Sequence, residues 1–294
     1  MLAGLEQKKC KVNHIDISYR TTGQGPALLM LHGHPQTHMM WHKVAPALAQ
    51  HFTIVTADLR GYGDSDKPVS PPDQSLYSKR LMAQDMYELM NKLGFSQFYV
   101  LAHDRGARVA HRLALDHPDA VSGMVLLDIA PTLAMYRQTD EKFARAYWHW
   151  FTLIRPTPFP EKLIESDPLL YLHSVMGVRS AGMAPFTPHA LAEYQRCLSL
   201  PGSAYGVCED YRASAGIDLE HDQHDLDRGH QVTSPMLALW GQHGAIEQCF
   251  DALAEWKKVA TNVRGKAMPS GHYIAEEVPE QLTREVLDFF ASIR

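Results

Sequence analysis

The chain has little cysteine and no pattern among what it has. Cys10, Cys197, Cys208 and Cys249 are scattered over 294 residues with neither zinc nor redox spacing. Reduced thiols in a cytoplasmic protein are the expectation. No apolar run reaches the roughly 18–20 residues that a bilayer span needs. The start, "MLAGLEQKKCKVNHID", lacks the apolar centre of a secretory signal. Charge of one sign is also missing: 28 Lys and Arg against 33 Asp and Glu leave a formal net charge of -5, with no basic excess for nucleic acid or an acidic membrane. Repeats and low-complexity segments are absent. Histidine is plentiful, but neither His32, His34, His38 and His42 nor His221, His224 and His230 have zinc-ligand spacing, so no metal is expected.

What is there builds a large core. Hydrophobic residues make up 45% of the chain, which fits one main domain with an inserted subdomain. The runs "ALLMLH" (27–32), "FTIVTAD" (52–58), "FYVLAHD" (98–104), "VSGMVLLD" (121–128) and "PMLALWG" (235–241) are short, nearly continuous and apolar. Strands of that kind are buried on both faces, as in a parallel sheet. Helical periodicity over 80–93, 106–117, 247–258 and 276–292 alternates with them, and residues 9–22 read as an antiparallel hairpin. The fold class is therefore α/β, with a mostly parallel, doubly wound sheet. Between about 131 and 230 no good parallel strand occurs. A structureless loop of that length is implausible, so this stretch reads as a helical cap inserted into a core made of 1–130 and 231–294.

One absence bears directly on chemistry. The stretch "YVLAHDRGARVAHRLALDHP" (99–118) is a strand running at once into a helix through small-x-nucleophile-x-small, with Ala102 and Gly106 as the small residues. Such a turn lifts its middle residue above the sheet. Many hydrolases carry Ser there, and this chain carries Asp104. A carboxylate needs no proton removed before attack. It displaces a leaving group from an sp³ carbon and forms an alkyl ester, which a base must then help water to cleave.

The base is expected in "MPSGHYIAEEVPE" (268–280), where His272 lies in a loop before the last helix. The loop after "PMLALWG" contains no Asp, so the orienting acid is taken as Asp128, at the tip of the preceding strand, with Glu247 as the alternative. The turn in "LHGHPQTH" (31–38) offers backbone N–H groups to an oxyanion, and the amides of His34 and Arg105 are assigned that task.

With these residues in place the sequence resembles the fluoroacetate and haloacetate dehalogenases of the α/β-hydrolase superfamily. The segments "LHGHPQTHMMW", "ADLRGYGDSDKP", "HDRGARVAHRLALDHP", "HWFTLIRPTPFPEKLI", "CEDYRA", "MLALWG" and "SGHYIAEE" carry the likeness over most of the chain. The resemblance implies Asp104 as nucleophile, Asp128 as triad acid and His272 as base. It implies Arg105 and Arg108 on the substrate carboxylate, and His149, Trp150 and Tyr211 on the departing halide. It further implies no cofactor, a small anionic substrate and a homodimer. Two departures stand out: His34 occupies a position where the family often has an aromatic such as Phe, and "LHSVMGVRSAGM" (172–183) has no Trp, with Arg179 nearby.

Two rival functions fit the same fold. An epoxide hydrolase would share Asp104, His272 and the oxyanion turn, and would use two cap tyrosines; the Arg pair argues against a neutral substrate. A non-catalytic binding protein should have lost a triad member, and none is lost.

Overall fold

The computed structural model describes residues 4–179 and 181–293. A hairpin of β1 (Lys8–Val12) and β2 (Ile15–Thr22) opens the chain, followed by β3 (Ala27–Leu31), β4 (Thr53–Ala57), β5 (Phe98–His103), β6 (Val121–Leu127), β7 (Met236–Gly241) and β8 (Val263–Met268). They form one sheet in the order β1-β2-β4-β3-β5-β6-β7-β8. The pairs β1–β2 and β2–β4 are antiparallel and the others parallel. β3 is buried at all of its positions, as its unbroken apolar run requires in the middle of a sheet covered on both faces.

β8 escapes the sequence reading. Its residues, "VRGKAM", alternate between half-buried and exposed, because an edge strand keeps one face in water. The single helix expected over 247–258 is two, Ala245–Cys249 and Ala252–Val259. Phe250 is extended, and the Asp251 carboxylate accepts the Ala254 N–H and starts a new helix, the competition that Asp offers to a continuing one. The last helical stretch is likewise divided into Ile274–Glu277 and Pro279–Ser292, since Pro279 has no N–H to continue the first. Between β6 and β7 every named element is a helix, from Thr132–Arg137 to Ile217–Asp227. Asp140, Asp167 and Thr187 cap three of these helices with their side chains.

The C-terminal ends of the parallel strands converge on one region, as in other open α/β sheets. His34 follows β3, Asp104 follows β5, Asp128 follows β6 and His272 follows β8. Asp104 (φ 46°) and Asp128 (φ 50°) both lie in the left-handed region, which side-chain-bearing residues enter only when the surroundings impose it. At Asp104 the surroundings are the strand β3 and its turn. A Cβ on Gly106 would lie 2.4 Å from the His32 carbonyl oxygen and 2.7 Å from the Leu31 carbonyl carbon, both backbone atoms. The Gly106 N–H instead donates to that His32 oxygen at 2.9 Å.

Gly106→Val is therefore expected to force the helix Asp104–Asp116 away from β3 and to destabilise the protein by about 3 kcal/mol. The midpoint of urea unfolding measures this, and an unchanged midpoint would show that the turn is not closely packed.

Candidate active site

Asp104 is fully buried at the N-terminus of the helix Asp104–Asp116, where the helix dipole favours an anion. Its two carboxylate oxygens differ. Oδ1 accepts the His34 backbone N–H at 3.0 Å. Oδ2 accepts no hydrogen bond; Arg179 Nη2 lies 3.9 Å and His272 Nε2 4.0 Å away. Burial alone would raise this carboxyl, but His272, Arg179, His103 and Arg105 outweigh it and hold it well below the usual carboxylate range. The site thus holds an ionised carboxylate with one oxygen fixed and one free.

His272 and Asp128 meet as expected. Nδ1 of the imidazole is 2.5 Å from Asp128 Oδ2, and Asp128 Oδ1 accepts the Gly241 N–H at 2.8 Å. Burial pushes the Asp128 carboxyl up, while burial, then Arg179, then His103, push His272 down. Arg179 Nη2, which can only donate, lies 2.5 Å from Nε2, so the ring proton sits on Nδ1, facing Asp128. Nε2 then carries the lone pair. His103, which precedes the elbow, contributes a ring nitrogen 2.9 Å from the His272 carbonyl oxygen and so fixes the loop. The alternative acid, Glu247, is engaged elsewhere, by the Trp240 indole N–H.

Arg105 and Arg108 are both buried beside this carboxylate, but they differ in what holds them. Arg105 donates from Nε and Nη2 to the two carboxylate oxygens of Asp210, each at 2.8 Å, and from Nη2 to Ser214 at 2.5 Å. Nη1 has no partner. Asp210 also accepts from Lys79 and, at 2.6 Å, from the Tyr62 hydroxyl. Arg108 donates only to neutral atoms: Thr132 Oγ1 at 2.8 Å, the Ala130 carbonyl at 3.3 Å and Met135 Sδ at 3.1 Å. Its Nε has no partner, and its guanidinium lies over the Trp150 ring at 4.8 Å. The pair read from sequence is therefore one cation in a direct ion pair and one that, among the described residues, has none.

His149, Trp150 and Tyr211 also come together. Their ring centroids lie 5.8 Å apart for His149–Tyr211 and 6.3 Å for Trp150–Tyr211. His149 Nδ1 and Nε2, Trp150 Nε1 and the Tyr211 hydroxyl are all buried without a hydrogen-bond partner. Burial, then Arg179, lowers His149 and keeps its imidazole neutral. Burial, then the Asp104 charge, raises the Tyr211 hydroxyl and keeps it a donor. The His34 ring sits against these groups, 6.0 Å from His149 and 5.3 Å from Tyr211, and its Nε2 is 2.9 Å from the Tyr171 hydroxyl.

Several site residues escape the sequence reading. Asp210 is the most consequential: it lies in the "CEDYRA" segment beside a second acid, Glu209, and nothing along the chain tells the fully buried ion-pair partner from its neighbour. Lys79 and Tyr62 lie far away in sequence and carry no signal. The histidines of the 32–42 cluster do not converge: His32 Nδ1 lies at the Gly33 carbonyl, His38 Nδ1 at Asp58 and His42 Nδ1 at the Met39 carbonyl.

A mostly parallel sheet, a strained Asp elbow, an imidazole–carboxylate pair and a backbone donor on the elbow oxygen define an α/β-hydrolase with a carboxylate in the nucleophile position. Comparison with known proteins agrees. The alpha/beta hydrolase fold family profile matches residues 26–166. A fluoroacetate dehalogenase from Burkholderia sp. is 43% identical over 295 aligned residues, covering 100% of this chain and 96% of that protein. A soluble epoxide hydrolase from Corynebacterium sp. (strain C12) is 34% identical, with 100% of each covered. A solved protein from Nostoc sp. PCC 7120, described only as an α/β hydrolase, superposes with a TM-score of 0.96 at 51% identity over 99% of both chains. The chain belongs to the α/β-hydrolase superfamily and within it is haloacetate-dehalogenase-like. The family match and the relatives together support hydrolase activity for this chain. Among the described residues, no helix is long and apolar enough to cross a membrane.

Asp210→Asn keeps the shape of the side chain but leaves Arg105 buried without its counter-charge and Lys79 with Asp218 alone. A loss of about 3–5 kcal/mol in unfolding free energy is expected. Denaturant titration measures it; a loss below 1 kcal/mol, on the order of an exposed pair, would show that Asp210 does not organise the site.

Proposed function

We propose that the chain hydrolyses small haloacids, with haloacetate as the type substrate, through an ester on Asp104. One observation carries this reading. His149, Trp150 and Tyr211 bring together buried N–H and O–H donors with no acceptor, beside a carboxylate oxygen that has no donor. Buried polar groups are rarely left in that state, and a departing halide supplies the missing acceptor. Arg108 adds to it: a buried guanidinium held only by neutral groups suits a substrate carboxylate.

In this mechanism Arg108 and the free Nη1 of Arg105 hold the substrate carboxylate. Asp104 Oδ2 attacks the α-carbon, the C–O bond forms, and the halide leaves with the bonding pair toward His149, Trp150 and Tyr211. Hydrogen bonds to a charged group contribute about 1.5–3 kcal/mol each, so every donor accounts for roughly one to two powers of ten in rate. The ester carbonyl oxygen is Oδ1, on which the His34 N–H already sits. Water then gives a proton to His272 Nε2 as its oxygen bonds to the Asp104 carbonyl carbon. Collapse expels the alkoxide of the 2-hydroxy acid, which takes that proton back. The regenerated Asp104 carboxyl ionises, so each turnover releases one halide, one 2-hydroxy acid and one proton.

The same reading takes 131–230 as a cap over the sheet core, since His149, Trp150 and Tyr211 come from it and Asp104, Asp128 and His272 from the strand ends. A second reading, an epoxide hydrolase, draws support from the Corynebacterium relative and from the buried, unpartnered hydroxyls of Tyr136 and Tyr211. It leaves Arg108 facing a neutral substrate.

Incubation with fluoroacetate and chloroacetate should release halide and glycolate in equal amounts, read by ion chromatography, and His272→Asn should stop at a carboxymethyl adduct on Asp104, read by peptide mass. Turnover of epoxides with no halide from either acid would establish the second reading. Arg108→Met is expected to raise KM for haloacetate about tenfold or more with a smaller change in kcat; an unchanged KM would remove Arg108 from carboxylate binding.

A further inference from the structure

Arg179 takes no part in the mechanism above, yet it occupies the centre of the site. Its guanidinium is buried over the Tyr147 ring at 4.6 Å. Nη2 lies 2.5 Å from His272 Nε2 and 3.9 Å from Asp104 Oδ2. It therefore covers the lone pair that would activate water, and stands beside the oxygen that would attack. Among the described residues, Nε and Nη1 are buried without a hydrogen-bond partner. Arg179 also lines, with Tyr147, Val178, His243, Gly271 and His272, a cavity of about 440 Å³. The Arg179 backbone is tied to the base, its carbonyl accepting the His272 N–H at 2.8 Å.

A guanidinium in that position works against both chemical steps for as long as it stays. It stabilises the ground state of the nucleophile, and it blocks the base. Its two unpartnered N–H edges and its place on the wall of the cavity supply the counterpart: an arriving carboxylate offers the bidentate acceptor that a single imidazole nitrogen does not.

We propose that Arg179 is an additional carboxylate-binding residue of this site, the first to meet the substrate anion in the 440 Å³ cavity, and that binding draws its Nη2 off His272 and Asp104. The inference deepens the haloacid reading and rests on it for the identity of the anion. It also assigns a cause to the state of the base. Burial, then Arg179, pushes His272 well below the ordinary imidazole value. The other groups facing that ring are Asp128 at 2.5 Å, Asp104 at 4.0 Å and the rings of His103, Tyr147 and Tyr273 at 4.5–6.2 Å, with His149 adding a weaker repulsion. Of these, Arg179 alone holds a cationic N–H on Nε2. Removing it from that nitrogen shifts the imidazole upward, because a donor on the lone pair and a neighbouring cation both favour the neutral ring.

The test uses acetate, a carboxylate with no leaving group, on the whole protein and on Arg179→Met and Arg179→Lys. Calorimetry reads acetate affinity and imidazole ¹⁵N resonances read the His272 titration. Acetate should bind the methionine variant about tenfold or more weakly, with partial recovery in the lysine variant. In the natural protein, saturating acetate should shift the His272 titration upward. In Arg179→Met the titration should already lie higher and move little with acetate. Equal acetate affinity in the natural protein and Arg179→Met, or an acetate-induced shift of equal size in both, would overturn the proposal and leave Arg179 a structural partner of Asp104. A protein that shows the expected acetate responses but releases no halide from haloacetates would refute the haloacid reading while keeping Arg179 as a carboxylate site.

Discussion

The site depends on the bidentate contact between Arg105 and Asp210. Arg105 belongs to the helix that starts at the nucleophile, and Asp210 to the helix Ser203–Ala215 in the insertion between β6 and β7. The contact is fully buried, and both ions are satisfied further: Asp210 by Lys79 and Tyr62, Arg105 by Ser214. A buried pair of this kind contributes position more than stability, since much of its attraction offsets the loss of hydration. What it positions is Tyr211, the next residue after Asp210, whose ring lies 4.2 Å from the Arg105 guanidinium. The clamp thus fixes the insertion over the Asp104 elbow.

Around that clamp the charges are distributed so that the imidazoles remain neutral. His34, His103, His149 and His272 are all pushed down, first by burial, and the Arg179 charge adds to the shift of each. Neutral imidazoles each keep a donor and a lone pair, whereas imidazolium rings would be donors only. Asp104 is held well below the usual carboxylate range because His272, Arg179, His103 and Arg105 outweigh its burial. Arg179 thus favours both the ionised Asp104 carboxylate and the neutral His272 imidazole. The strained backbone at Asp104 and Asp128 belongs to this arrangement, since both positive-φ residues sit at strand ends and aim their carboxylates at one imidazole.

The central strands were legible because burial on both faces leaves only apolar residues, and β3, β5, β6 and β7 lie within a residue of the runs that announced them. β8 was not, because an edge strand with Arg264 and Lys266 on its wet face has no such run. The helix breaks at Phe250 and Val278 were missed for a different reason. Periodicity continues across them, and only the Asp251 cap and the missing N–H of Pro279 stop it. In the site, the elbow, the imidazole loop and the paired arginines had sequence signatures, since each is set by its immediate neighbours.

By itself the sequence determined the class of fold and offered the candidate reacting groups: an Asp where a Ser is common, a His before the last helix, and donors and cations in number. Those are local matters, fixed by strand burial, turn sterics and side-chain chemistry. The tertiary structure decided how the groups divide their work. Which oxygen of Asp104 is held and which is free, which arginine is already neutralised, and what covers the base all follow from contacts between residues as far apart as Arg105 and Asp210 or Arg179 and His272. Such contacts are set by packing across the whole fold, and a pattern read along the chain contains no distance between its two ends.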